Sequence, residues 1–215
     1  MFLLKQYPEY IFNFEGAVKY AWMKEYYPAQ YEEMKKFIES GRWHISGASW
    51  DATDTLVPSI ESAIRNIMLG QDYYRKEFGV ESTDIFLPDC FGFGWTLPAI
   101  ASHCGLIGFS SQKLQWRNKP FYGNDKYPFT VGLWQGIDGS TIMMTHGYDY
   151  NQRFEDGDLS ENKDLLELTG HSPLHMVYRY YGTGDIGGSP TLESVRAIEK
   201  GLQGNGPLPV SYTHL

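Results

Sequence analysis

Two carboxylates sit where backbone chemistry favours a working role. Asp89 stands between Pro88 and the run Phe91-Gly92-Phe93-Gly94, directly after the apolar Ile85-Phe86-Leu87. Proline fixes one backbone dihedral there, and the glycines let backbone approach a ligand closely. Asp185 lies in Gly184-Asp185-Ile186-Gly187-Gly188-Ser189-Pro190, a second glycine-rich turn. A pair of carboxylates flanking a glycosidic bond can cleave it, one as nucleophile and the other as general acid and base. Each also has a plainer reading, Asp89 as a helix cap and Asp185 as a turn former.

Other polar residues follow short apolar runs in the same way. Trp50 and Asp54 come after Ile45-Ser46, and His146, Tyr148, Asp149 and Tyr150 come after Ile142-Met143-Met144-Thr145. Trp50 and Trp95 offer indole faces on which a sugar ring could stack, whereas Trp22 and Trp43 read as structural. His146 fits a metal ligand, a donor to a substrate hydroxyl, or a satisfied core histidine. His103 reads as helix packing. Cys90 and Cys104 form no C-x-x-C pair, so they read as reduced thiols and not as a zinc knuckle.

These residues need a scaffold that gathers strand ends. Short β-rich runs alternate with helical stretches: strands at 11–14, 42–46, 84–87, 106–110, 129–135, 141–146 and 177–180, and helices at 17–40, 59–78, 97–103 and 192–200. Pro28 predicts a break at Tyr27. Ser59 predicts an N-cap, and Asp138-Gly139 a hairpin turn. Strand–helix–strand succession implies a mainly parallel α/β sheet, in which working residues collect at the carboxyl ends of strands. No G-x-G-x-x-G motif follows a strand to favour a dinucleotide.

Composition narrows the class. The 215 residues carry 18 Lys+Arg against 26 Asp+Glu, a net charge of −8, with 42% hydrophobic and 16% aromatic content. That is too apolar for disorder, and an unpatterned negative charge gives no basic stripe for nucleic acid. No apolar run approaches the ~20 residues of a membrane span, and two cysteines cannot staple a domain of this size. Aromatics and carboxylates together suit a neutral, ring-shaped ligand such as a sugar. The start, Met1-Phe2-Leu3-Leu4-Lys5, reads as the last turn of a helix already under way, without signal-peptide organisation, and leaves the compartment unknown. Residues 206–215 read as a non-native or disordered tail.

The segments Gly41-Arg42-Trp43 to Gly47-Ala48-Ser49-Trp50, Pro58-Ser59-Ile60-Glu61-Ser62, Leu87-Pro88-Asp89-Cys90-Phe91-Gly92, Leu97-Pro98, Lys113-Leu114, Asp138-Gly139-Ser140, Thr145-His146 and Tyr181-Gly182-Thr183-Gly184-Asp185 resemble glycoside hydrolase family 38, the α-mannosidases, in particular its bacterial branch. The resemblance covers residues 1–205 in order. It implies a partial catalytic domain: an incomplete seven-stranded parallel β/α barrel lacking its first strand. It implies retaining hydrolysis of terminal α-linked mannose in a glycan, with one zinc ion. It makes Asp89 both nucleophile and zinc ligand, and Asp185 the general acid/base, although Ile186 replaces a usual glycine. Trp50, Asp54, His146 and Tyr150 become the candidate substrate-binding residues. The family's other zinc ligands, a His-x-Asp motif before Met1 and a histidine beyond residue 205, have no counterpart here. The resemblance therefore implies a fragment of an α-mannosidase that is itself inactive. The alternative is a non-catalytic carbohydrate-binding α/β module, which would keep the aromatics without needing either aspartate. A polysaccharide deacetylase-like esterase would need a His-x-x-x-His metal motif, and none occurs.

Overall fold

The computed structural model describes residues 1–115, 130–146, 150–151, 153–155 and 157–213. The predicted site residues Tyr148 and Asp149, and the first residue of the predicted 129–135 strand, lie outside them. The fold is mixed α/β with parallel strand pairs, and it divides into two compact units.

The first unit comprises Met1–Ser110, Leu133–Met144 and Thr213–Leu215. It opens with α1 (Phe2–Gln6), then β1 (Phe12–Glu15) and α2 (Ala17–Tyr26). Tyr27 interrupts the helix at φ −137°, and α3 (Pro28–Glu39) starts with proline in its first turn, where the missing N–H costs nothing. β2 (Trp43–Ser46) pairs parallel with β1, Phe12 beside Trp43 and Glu15 beside Ser46. α4 (Ile60–Phe78) is capped by Ser59, whose hydroxyl accepts from the Ser62 amide, and ends at Gly79 in the left-handed conformation. β3 (Asp84–Phe86), α5 (Leu97–His103) and β4 (Gly108–Ser111) follow, with β3 and β4 parallel. β5 (Val131–Gln135) and β6 (Thr141–His146) are joined by a turn in which Gly139 takes φ +85°. A side chain there would strain the turn.

The strands hydrogen-bond in two sheets, β1-β2 and β3-β4-β6-β5. Between β2 and β3 there is no ladder. Instead the Ala48 amide donates to Asp84 O, and the Gly47 amide to the Asp84 carboxylate. Asp84 is buried and also accepts from the Ser82 hydroxyl at 2.9 Å. It is an anchor for the loop after β2.

Much of the aromatic content goes into this unit's core. Tyr20, Tyr31 and Tyr74 are each almost wholly buried and pack with Phe14, Trp43 and Phe78. The Trp43 indole donates to the Tyr20 hydroxyl at 3.0 Å, and that hydroxyl donates to Phe14 O at 2.9 Å. Burial pushes the Tyr20 hydroxyl's pKa well up. Trp43 is structural as expected, but Trp22 is 52% exposed, because it points off the face that α2 turns toward this core. His103 is also exposed and pairs with Asp138 at 3.2 Å instead of packing inside its helix.

The second unit comprises Ser111–Gly132 and Thr145–Tyr212. Its helices are α6 (Lys163–His171), capped by Asn162, and α7 (Leu192–Gln203), capped by Thr191. Leu159, Ala197 and Ile198 form a small core with Phe154, Tyr181, Val210 and Tyr212 around it. The Leu208 amide donates to Ser160 O at 3.1 Å. Residues 177–180, expected as a strand, carry no strand pairing. The Tyr178 amide donates to the Thr130 hydroxyl instead of a backbone carbonyl.

Candidate active site

At the carboxyl end of β2 the chain is held from two sides. The Ser49 and Trp50 carbonyls accept from the Ala17 and Val18 amides at the start of α2, and the Trp50 amide donates to Asn66 O on α4. The Asn66 side chain bonds both the Asp51 carbonyl and its amide. Gly70 lets α4 come this close. A Cβ on it would stand 2.7 Å from Ser49 O and nearer still to Ala48 O. Trp50 is half-buried, its indole edge-on to Tyr73 at 5.8 Å.

The loop after β3 carries Asp89 and is stitched to the loop that carries Asp54. The Cys90 thiol donates to Thr53 O at 3.1 Å, and the Thr55 hydroxyl to Gly92 O at 2.8 Å. Asp54 spends one carboxylate oxygen on the Leu56 amide, closing its own turn. The structure thus brings the Asp54 and Asp89 segments side by side, with both aspartates exposed. Asp89 caps no helix, since α5 begins only at Leu97. Around these loops Leu56, Val57, Phe91 and Trp95 are exposed, Trp95 at 81%. Apolar side chains left in water beside a carboxylate suit the apolar face of a sugar.

In the second unit the structure joins two predicted residues directly. The Tyr150 hydroxyl donates to Asp185 Oδ1 at 2.8 Å. Asp185 lies in the left-handed region at φ +62°, where aspartate is tolerated but strained. Its loop is closed by the Ile186 amide on Gly184 O and by the Thr183 hydroxyl on Ser189 O. His146 is fully buried, and its amide donates to Thr130 O at 3.0 Å. Full burial agrees with a core histidine and leaves the metal and substrate readings of His146 as expectations.

Sequence reasoning missed several residues that hold these loops: in the first unit Asn66 and Gly70 on α4 and buried Asp84, and in the second Asn151, whose side chain accepts from the Gly184 amide. Gly70 alone left a signal, a glycine inside an otherwise good helix.

Among the described residues no three or more His, Cys, Asp or Glu side chains gather to hold a metal ion. Asp89 supplies one carboxylate, and a zinc site takes three or four protein ligands. The described residues by themselves therefore do not fit the metal.

The family described as "Glycosyl hydrolases family 38 N-terminal domain" matches residues 1–214. "Alpha-mannosidase G" of Dictyostelium discoideum is 36% identical over 199 residues, 89% of this chain and 17% of that protein. An "Alpha-mannosidase" of Saccharomyces cerevisiae is 30% identical over 201 residues, 92% of this chain and 18% of its own length. The chain thus spans less than a fifth of these curated relatives. In solved structures, a protein in glycosyl hydrolase family 38 from Enterococcus faecalis shares the fold, with a TM-score of 0.67 at 17% identity over 98% of this chain and 22% of that one.

Proposed function

Since the chain belongs to glycosyl hydrolase family 38, as part of its N-terminal domain, we propose that the protein carrying it is a retaining α-mannosidase of the bacterial branch, acting on terminal α-mannosyl residues of a glycan. The match to two relatives named as α-mannosidases across about nine-tenths of the chain supports the α-mannosidase part of this reading. The fold proposed for the complete domain is a seven-stranded parallel β/α barrel.

Within it, Asp89 is the nucleophile. Its exposed carboxylate attacks the anomeric carbon as the bond to the leaving oxygen breaks, giving a glycosyl ester. Asp185 gives its proton to the leaving oxygen, then takes one from the water that hydrolyses the ester. Trp50 and Asp54 flank the sugar, and Tyr150 lies beside Asp185. A zinc ion would polarise the sugar hydroxyls, with Asp89 among its ligands. The complete site needs two or three further ligands, so the 215 residues taken alone are proposed to be inactive.

The competing reading, a binding module, draws on the exposed Trp95 and Phe91. Asp89→Asn in the protein carrying this chain separates the two. The enzyme reading expects aryl α-mannoside hydrolysis to fall by about a thousandfold or more, the scale of losing a nucleophile. Undiminished activity would overturn the assignment, and metal-independent glycan binding without hydrolysis would favour the module.

A further inference from the structure

We infer that Tyr150 is a positioning residue for Asp185 and that Gly184 is what admits it, an inference that rests on Asp185 as the acid/base group. Three independent observations converge. The Tyr150 hydroxyl donates to Asp185 Oδ1 at 2.8 Å, and among the described residues it is the side-chain group bonded to that carboxylate. The Tyr150 ring lies against Gly184, where a Cβ would stand 3.1 Å from ring Cζ and nearer still to Cε2 and Cδ2. The next residue along, Asn151, accepts from the Gly184 amide at 3.2 Å, so one short segment grips both the peptide before Asp185 and its carboxylate.

The backbone gives this grip its purpose. Asp185 is exposed on a loop at φ +62°, closed within three residues by the Ile186 amide on Gly184 O at 2.7 Å. The loop fixes where the side chain starts but not how the carboxylate turns. A hydroxyl donor on Oδ1 does fix it, and leaves the moving proton to Oδ2. Tyrosine suits both halves of the reaction. When Asp185 is an acid protonated on Oδ2, Tyr150 donates to its carbonyl oxygen. When Asp185 is a carboxylate base, Tyr150 donates to the same atom. Tyr150 keeps its own proton throughout, and the proton balance stays between Asp185, the leaving oxygen and water. A preformed orientation lowers the cost of reaching the reactive geometry.

The test is the leaving-group dependence of Tyr150→Phe in the protein carrying this chain. A dinitrophenyl mannoside departs without protonation, whereas an alkyl mannoside needs the acid. Tyr150→Phe is expected to lower kcat/KM, which reports the first half of the reaction, by about tenfold on the alkyl mannoside, one lost hydrogen bond at the reacting centre, and by much less on the dinitrophenyl mannoside, whose kcat instead falls because hydrolysis of the ester still needs Asp185 as base. Gly184→Ala, which must displace the ring, is expected to give the same pattern and serves if the phenylalanine variant unfolds. Equal losses of kcat/KM on both mannosides, or a raised KM at unchanged kcat on the alkyl mannoside, would overturn the inference. Asp185→Asn distinguishes the two levels. It is expected to lose about a hundredfold or more on the alkyl mannoside. If it loses nothing selectively, the acid/base assignment falls. If it does and Tyr150→Phe does not, only the role of Tyr150 falls.

Discussion

Replacing Gly70 by alanine tests whether the loop carrying Trp50 is held by backbone-to-backbone contact with α4. Inside an unconstrained helix the change gains about 1 kcal/mol. Here the new Cβ would stand 2.7 Å from Ser49 O and closer to Ala48 O and the Ser49 carbonyl carbon. An ordinary contact needs about 3.5 Å, so helix or loop must retreat by more than about an ångström to clear the nearest of these atoms. The obstructing atoms are backbone, and the Ser49 carbonyl also accepts from the Ala17 amide at the start of α2. Retreat therefore adds to the overpacking cost of about 1–3 kcal/mol a strained hydrogen bond of about 1 kcal/mol. Against the helix gain, the net expectation is a loss of about 2 kcal/mol, or a melting temperature lower by about 4–8 °C for a unit of this size. Gly170 is the control. It is exposed in α6, with nothing within 4 Å of its would-be Cβ, so Gly170→Ala should stabilise by about 0.5 kcal/mol. Thermal unfolding by circular dichroism reads both. If Gly70→Ala stabilises as much as Gly170→Ala does, the close approach of α4 does not hold this loop.

Three further outcomes follow from the same structure. Asp84→Ala should destabilise by about 3 kcal/mol, since the Gly47 amide and Ser82 hydroxyl lose their buried acceptor. Denaturant titration would show a lower midpoint at unchanged slope, and an unmoved midpoint contradicts the anchor role. The Lys24 ammonium, bonded to Glu77 at 2.7 Å, holds that carboxyl below the usual range, with Tyr31 also donating to it. Its contribution is present above the unfolded pKa and lost as pH falls through the lowered folded pKa. Glu77→Gln should therefore lower stability at neutral pH, the gap closing in acid; a gap that does not vary with pH refutes the pairing. Trp95→Ala should leave the melting temperature unchanged, since the indole is 81% exposed, while raising KM for a glycan. An unchanged KM removes it from the sugar-facing surface.

Local rules made much of the scaffold readable. Pro28 broke the long helix at Tyr27, Ser59 capped α4, and Asp138-Gly139 turned the β5–β6 hairpin, each because the determining interaction lies within a few residues. Residues whose environment is set at long range were not readable. The aromatic surplus suggested a sugar-facing surface, yet Tyr20, Tyr31 and Tyr74 fill the first unit's core. Asp185 and Tyr150 were each legible as polar residues after apolar runs. Their bond spans 35 positions and depends on the missing side chain of Gly184, which spacing alone does not reveal. The link from the loop after β2 to β3 likewise runs through one buried carboxylate, Asp84.

The central claim, that Asp89 is the nucleophile of a retaining α-mannosidase, is tested most directly by trapping its ester. The protein carrying this chain would be incubated with a slow-turnover fluorinated mannosyl fluoride, digested, and its peptides mapped by mass spectrometry. The account predicts one added fluoromannosyl group on the peptide holding Pro88-Asp89-Cys90, located on Asp89 by fragmentation and absent from the Asp89→Asn variant. A label on another carboxylate, or steady release of inverted product with no labelled peptide, would contradict it.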